Sequence, residues 1–155
     1  MSTFDHLMGV QEKRGAGLLA LLDPDRLDKQ DLTRAAVTCA ENGADALLFG
    51  GSFLLSTHFD RMVREVKGAV DVPVIIFPGD FSQISGAADG ILFLSLISGR
   101  NAEHLIGQQV KAAPLLKTHG LEPISTGYIL VESGRQTAAE YVSNTRPIPR
   151  HKPEI

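Results

Sequence analysis

Asp23-Pro24-Asp25-Arg26 stands where an apolar run, residues 17–23, turns polar. A carboxylate in that place is a hard oxygen ligand for Mg²⁺. Magnesium takes one or two carboxylates and completes its shell with water and substrate phosphate, so a single Asp23 suffices. The same residues also make a good turn. Gly50-Gly51-Ser52 follows a second apolar run. Paired glycines let backbone N–H groups approach phosphate oxygens, and the Ser52 hydroxyl can face a metal or a diphosphate. A tight turn needing φ > 0 explains the same glycines. Phe77-Pro78-Gly79-Asp80 and the stretch from Ser95 to Asn101 end two further runs. Asn101 suits a helix N-cap, with Glu103 in the first turn. Arg100 can meet an anion but reads more simply as solvated. Tyr128 is expected inside a fifth strand, as a packed aromatic or with its hydroxyl on a ligand. His6, His58, His104, His119 and His151 show no ligand spacing and read as surface or capping residues. Cys39 falls on an apolar helix face and reads as a core thiol. No nucleophile elbow or Walker loop is present.

These residues need a scaffold that carries strand ends to one place. Short apolar runs at 17–23, 44–50, 72–79, 89–96 and 125–132 read as strands, the first as a strand buried on both faces. Leu32, Ala35, Ala36, Cys39 and Ala40 form one helical face, which Gly43 ends. Phe59, Met62, Val63 and Val66 form a second stripe, stopped by Gly68. Residues 102–118 read as a long helix and 136–142 as the start of another. Residues 80–88 are too few for much helix. Strands spaced by roughly 22–35 residues fit βα units feeding one parallel sheet. A barrel and a doubly wound sheet both begin this way. The Gly-x-Gly-x-x-Gly signature of dinucleotide binding is absent after the first strand. Acidic, Gly and Ser residues gather instead at successive strand ends, which in a parallel barrel share one mouth. The pattern leans towards the barrel.

Composition narrows the class. Of 155 residues, 43 % are hydrophobic and 21 % charged, with a net charge of −3. That excludes a strongly basic nucleic-acid binder. Aromatics are 6 % and Trp is absent, so base-stacking platforms are not expected. No apolar run reaches the ~18 residues of a membrane helix. The first residues lack an apolar signal core, and a cytoplasmic protein is expected. One cysteine makes no internal disulfide. The length predicts a single domain over residues 1–155, with 143–155 as a proline-rich loop tail.

Together LLDPDR (21–26), FGGS (49–52), IIFPGD (75–80), ADGILFLSLISGRN (88–101), LIGQQV (105–110), TGYILV (126–131) and SNTRPIPRHKPEI (143–155) resemble the geranylgeranylglyceryl phosphate synthases. The likeness is greater to the larger-subunit branch, which includes bacterial members. It implies a (βα)8 TIM barrel, of which this chain covers about strands 1–5. It implies a prenyltransferase joining sn-glycerol 1-phosphate to a prenyl diphosphate, usually geranylgeranyl diphosphate. Mg²⁺ would be held by Asp23 and Ser52. Substrate contacts carry over to Gly50 and Gly51. Phe53, Phe77 and Leu96 are candidates for a prenyl groove, and Tyr128 for a ligand contact. A homo-oligomer is expected, with transient membrane-surface contact through the lipid product. One branch of the family has a lysine two residues before the metal aspartate; Leu21 stands there, so that role does not carry over. The family's strand-six Tyr-Leu-Glu motif, its catalytic glutamate and its later glycine-rich turns have no counterpart up to Ile155. Two other readings stay open: a non-catalytic fragment that folds by association, and a different phosphate-binding βα barrel such as a sugar-phosphate isomerase.

Overall fold

Five strands pair in parallel in the computed structural model, which describes residues 2–52, 54 and 58–155. They are β1 (Leu19–Leu22), β2 (Ala46–Phe49), β3 (Val74–Ile76), β4 (Gly90–Ser95) and β5 (Glu122–Gly127), in spatial order β1-β2-β3-β4-β5. That order decides between the two architectures. A doubly wound sheet reverses direction after its first strands and covers both faces. Here every crossover steps the same way. With right-handed connections the helices then fall on one face and the other becomes concave. The fold is therefore a (βα)8-barrel arrangement covering its first five strands.

Side-chain alternation sorts the strands into the two faces. Leu22, Leu47, Phe49, Val74, Ile76 and Ile91 are buried in an outer core against α2 (Lys29–Glu41) and α3 (Phe59–Lys67). From α2 come Leu32 and Ala36; from α3 come Phe59, Met62, Val63 and Val66, the predicted stripes. Cys39 is half-buried against this core. Ala46, Ile75 and Ile124 form a smaller inner cluster with Leu48 and Leu92. On β1, the inward-facing Leu19 and Leu21 remain 36 % and 51 % exposed on the concave face.

Three elements depart from the expected pattern. A helix absent from the sequence reading, α1 (Thr3–Arg14), opens the chain. Its N-terminus is closed by a capping box, Ser2 with Asp5. Leu7 packs on the inner cluster, so α1 plugs the end of the sheet opposite the mouth. Secondly, the long helix at 102–118 starts as a π-helical turn, Glu103–Gly107, and continues as α4 (Gln108–His119). Asn101 does cap it, its Oδ1 accepting from the Glu103 N–H at 3.1 Å. Thirdly, β5 begins three residues earlier than expected and ends at Gly127. Tyr128 therefore lies just beyond the strand, not inside it, although its N–H still donates to the Ser95 carbonyl at 2.8 Å. The apolar run that suggested a later strand is half outside the core, with Ile129 and Val131 exposed. The last helix is α5 (Ala138–Ser143), capped by Thr137. Beyond it, Ile148 pairs with Val131. No helix among the described residues is long and apolar enough to cross a membrane.

Carboxylates pin both ends of α1. Glu122 accepts from the Thr3 and Phe4 N–H groups at 2.7 and 3.1 Å. Asp45 accepts from the Leu18 N–H at 2.7 Å and pairs with Arg14. Burial raises the Glu122 carboxyl, but the backbone donors of Phe4 and Thr3 outweigh it and hold it below the ordinary value. The sign follows directly. A carboxyl depressed by folding stabilises above its unfolded value, about 4.3, and that support is lost as pH falls through the folded value. Glu122→Gln should cost about 1.5–3 kcal/mol, the worth of a hydrogen bond to a charged acceptor. Urea titrations between pH 3 and 6 should show the substituted chain losing part of the acid slope. An unchanged slope would mean that Glu122 does not hold α1.

Candidate functional site

The loops after β1, β2 and β3 meet through glycine. Gly50 has φ +141°, and a methyl group there would lie 2.3 Å from the Phe77 carbonyl oxygen. At Gly79 a methyl would lie 2.4 Å from the Gly51 carbonyl oxygen and 2.6 Å from that of Ser52. Only bare Cα atoms permit so close an approach. Gln83, fully buried, clamps the same junction: its Nε2 donates to the Gly51 carbonyl at 3.0 Å. Its Oε1 is buried without a hydrogen-bond partner.

Asp23 follows β1 directly. Its carboxylate lies 3.1–3.3 Å from where a Gly51 Cβ would stand, so the third glycine makes room for it. One oxygen accepts from the Asp25 N–H at 3.1 Å; the other pairs with Arg26 Nε at 3.1 Å. Ser52, next to Gly51, is exposed at the same rim. Asp80 instead caps its own loop, accepting from the Ser82 N–H at 2.7 Å.

These residues rim a cavity of about 510 Å³. The mouth is formed by Asp23, Arg26, Gly51, Ser52, Gly79 and Asp80. Below it the lining is apolar: Phe77, Phe81, Ile84, Ile91, Phe93 and Leu96. Both faces of the sheet contribute, and the β3–β4 connection, which carries no helix, leaves Phe93 only half-buried beside the groove. The short connection read from the sequence thus opens a groove. Phe77 meets Tyr128 edge-on, ring centroids 5.7 Å apart, at one side. On the other side the Phe81 N–H donates to Gln108 Oε1 at 2.9 Å, and Lys111 Nζ sits 5.5 Å above the Phe81 ring.

Of the expected site residues, Asp23, Gly51, Ser52, Phe77, Leu96 and Tyr128 line the one cavity. Gly50 lies behind it, shaping the loop. Phe53 lies outside the described residues. Arg100 spends its guanidinium on the Ser98 and Gly99 carbonyls. His104, expected at the surface or in a cap, lines the cavity instead, as do Gln108 and Gln109, for which the sequence analysis names no role. Gln109 Nε2 donates to the Leu94 carbonyl, and its Oε1 is buried without a hydrogen-bond partner. The adjacent glutamines in 105–110 were the available signal, but which face they present depends on α4 docking.

The donor set suits a divalent cation that completes its shell with substrate oxygen. One carboxylate and one exposed hydroxyl flank a glycine, and no cluster of three His, Cys, Asp or Glu exists among the described residues.

Known proteins agree in sequence and in fold. The PcrB family profile matches residues 8–155. A geranylgeranylglyceryl phosphate synthase of Chitinophaga pinensis is 47 % identical over 135 residues, covering 87 % of this chain and 54 % of the relative. One from Korarchaeum cryptofilum is 40 % identical over 138 residues, covering 89 % and 57 %. The crystal structure of (S)-3-O-geranylgeranylglyceryl phosphate synthase from Thermoplasma acidophilum, in complex with substrate sn-glycerol-1-phosphate, superposes with TM-score 0.87 at 32 % identity. The match covers 97 % of this chain and 60 % of that one. The chain thus spans little more than half the length of the named relatives.

Proposed function

We propose, for a chain that belongs to the PcrB family, that it supplies the prenyl-diphosphate half of a transferase active site. The full reaction joins a prenyl diphosphate, geranylgeranyl diphosphate by the family reading, to sn-glycerol 1-phosphate in ether-lipid synthesis. The glycerol 3-hydroxyl oxygen forms a bond to C1 of the prenyl group as the C1–O bond to diphosphate breaks. The hydroxyl proton leaves to a base, and diphosphate departs. The observation that carries this reading is the cavity's two-part chemistry, an acidic and glycine-rich mouth continuous with an apolar groove. A prenyl diphosphate has the same two parts.

Each part has a stated job. Gly51 and Gly79 bring backbone close to the mouth, where N–H groups can meet phosphate oxygens, while Gly50, whose N–H donates to the Leu22 carbonyl, shapes the loop behind them. Asp23 and Ser52 are the groups that would hold Mg²⁺. When bound, Mg²⁺ neutralises charge on the leaving diphosphate. Phe77, Phe93 and Leu96 exclude water from the chain, at roughly 0.8 kcal/mol per buried CH₂. Tyr128 braces Phe77 at the groove wall.

Product analysis on a full-length protein containing this chain tests the reading. Geranylgeranyl diphosphate with sn-glycerol 1-phosphate should give a prenyl ether and free diphosphate. Bulky substitution along the groove, Leu96→Trp or Phe93→Trp, should shift preference to shorter prenyl donors. Turnover of a sugar phosphate in place of prenyl transfer would overturn the assignment. Product length indifferent to both substitutions would move the groove elsewhere.

A further inference from the structure

Arg26 has no part in that reading, yet its position is unusual in one respect. Among the described residues lining the cavity, it is the only Lys or Arg. The mouth around it carries two carboxylates, Asp23 and Asp80. A diphosphate entering there meets net negative charge unless cations offset it.

The contacts of Arg26 are few and exchangeable. Its Nε pairs with one oxygen of Asp23 at 3.1 Å, three residues back along the chain. The side chain is otherwise 83 % exposed. Its backbone N–H donates to the Asp23 carbonyl at 3.2 Å, so the turn positions the residue without using the guanidinium. An exposed ion pair of this kind is worth about 0.2–1 kcal/mol, so little opposes its release. A guanidinium fork matches phosphate oxygens as well as carboxylate oxygens.

Resting on the reading of Asp23 as the cation ligand, we propose that Arg26 exchanges partners during substrate binding. Without a metal it neutralises Asp23. When the divalent cation takes the Asp23 carboxylate, the guanidinium turns to the diphosphate and becomes its second positive contact. One residue thus keeps the vacant mouth from holding an uncompensated carboxylate and supplies a cation where the polyanion arrives.

The exchange makes two predictions of opposite sign for Arg26→Gln. Removing a competitor for Asp23 should tighten Mn²⁺ binding measured alone, roughly threefold, as an exposed ion pair allows. Removing a phosphate contact should weaken inorganic diphosphate binding at saturating Mg²⁺, about tenfold or more, as a charge-assisted hydrogen bond requires. Both can be measured by titration calorimetry on the whole chain, with unfolding midpoints showing that the variant folds as the parent does. Weakening of both ligands would make Arg26 a strut of the turn and overturn the exchange. No change in either would leave it a solvated surface residue and overturn it equally. Asp23→Asn separates the two levels. Loss of Mn²⁺ binding there keeps the cation reading, so a failed Arg26→Gln result counts against the exchange alone. Retained Mn²⁺ binding there defeats both.

Discussion

Asp23→Asn should lower prenyl transfer by about two to three orders of magnitude, the scale seen when a group stabilising developing charge is removed. The substitution keeps shape and the oxygen that accepts from the Asp25 N–H, but removes the charge. Nothing in the core depends on that charge. The carboxylate is 27 % exposed, and its one ion pair among the described residues is with the exposed Arg26. Stability should change by less than about 1 kcal/mol. Steady-state kinetics on a full-length form, beside a urea denaturation curve, separates the two effects. A large loss in rate with an unmoved midpoint is the expected result. Parent-like turnover would remove Asp23 from the chemistry. A collapse in stability would instead make Asp23 a structural residue of the turn.

That prediction was reachable from the sequence because its determinants are local. An aspartate ending an apolar run, and glycines ending the next, declare strand ends and turn chemistry without tertiary knowledge. The first four strands and the stripes of α2 and α3 were legible for the same reason: burial on one or both faces writes itself into apolar spacing. β5 was displaced because its residues, Glu122–Gly127, are mostly polar and include a proline, while the apolar residues 128–131 beyond it are largely outside the core. α1 was invisible to periodicity because it presents only Leu7 to the inner cluster. Its capping residues, Ser2 and Asp5, were the signal to read. The cavity's remaining walls depend on contacts between distant segments. Gln83 reaches Gly51, and Gln108 reaches Phe81, only after the sheet has brought their loops together. Gly79 looks like an ordinary turn glycine until the Gly51 carbonyl is placed beside it.

A polypeptide of these 155 residues should self-associate through the concave face and should not bind sn-glycerol 1-phosphate at micromolar concentration. Its accessible surface is 9234 Å². A folded monomer of 16.7 kDa is expected to expose about 7,600 Å². The excess, roughly 1,600 Å², exceeds the ~800 Å² that each partner buries in a standard interface. Its character fits as well as its size. Leu19 and Leu21 face the concave side half-exposed, and among the described residues β1 and β5 each have one unpaired edge. Open edges beside apolar surface favour pairing with another chain. The acceptor follows from a separate rule. Barrels commonly bind phosphate in the loops after their seventh and eighth strands, and this sheet has five. Sedimentation velocity over a concentration series should show dimers or larger species that dissociate on dilution or in mild urea. Calorimetry with sn-glycerol 1-phosphate should show no binding, while Mg²⁺ with diphosphate still binds at the Asp23 mouth. That contrast places the two substrates on different parts of the barrel. A monomeric, cooperatively folding chain would show that the concave face is covered by rearrangement rather than by a second copy. Micromolar affinity for the glycerol phosphate would put the acceptor site among strands one to five, and would require the mouth at Asp23 to serve a different ligand.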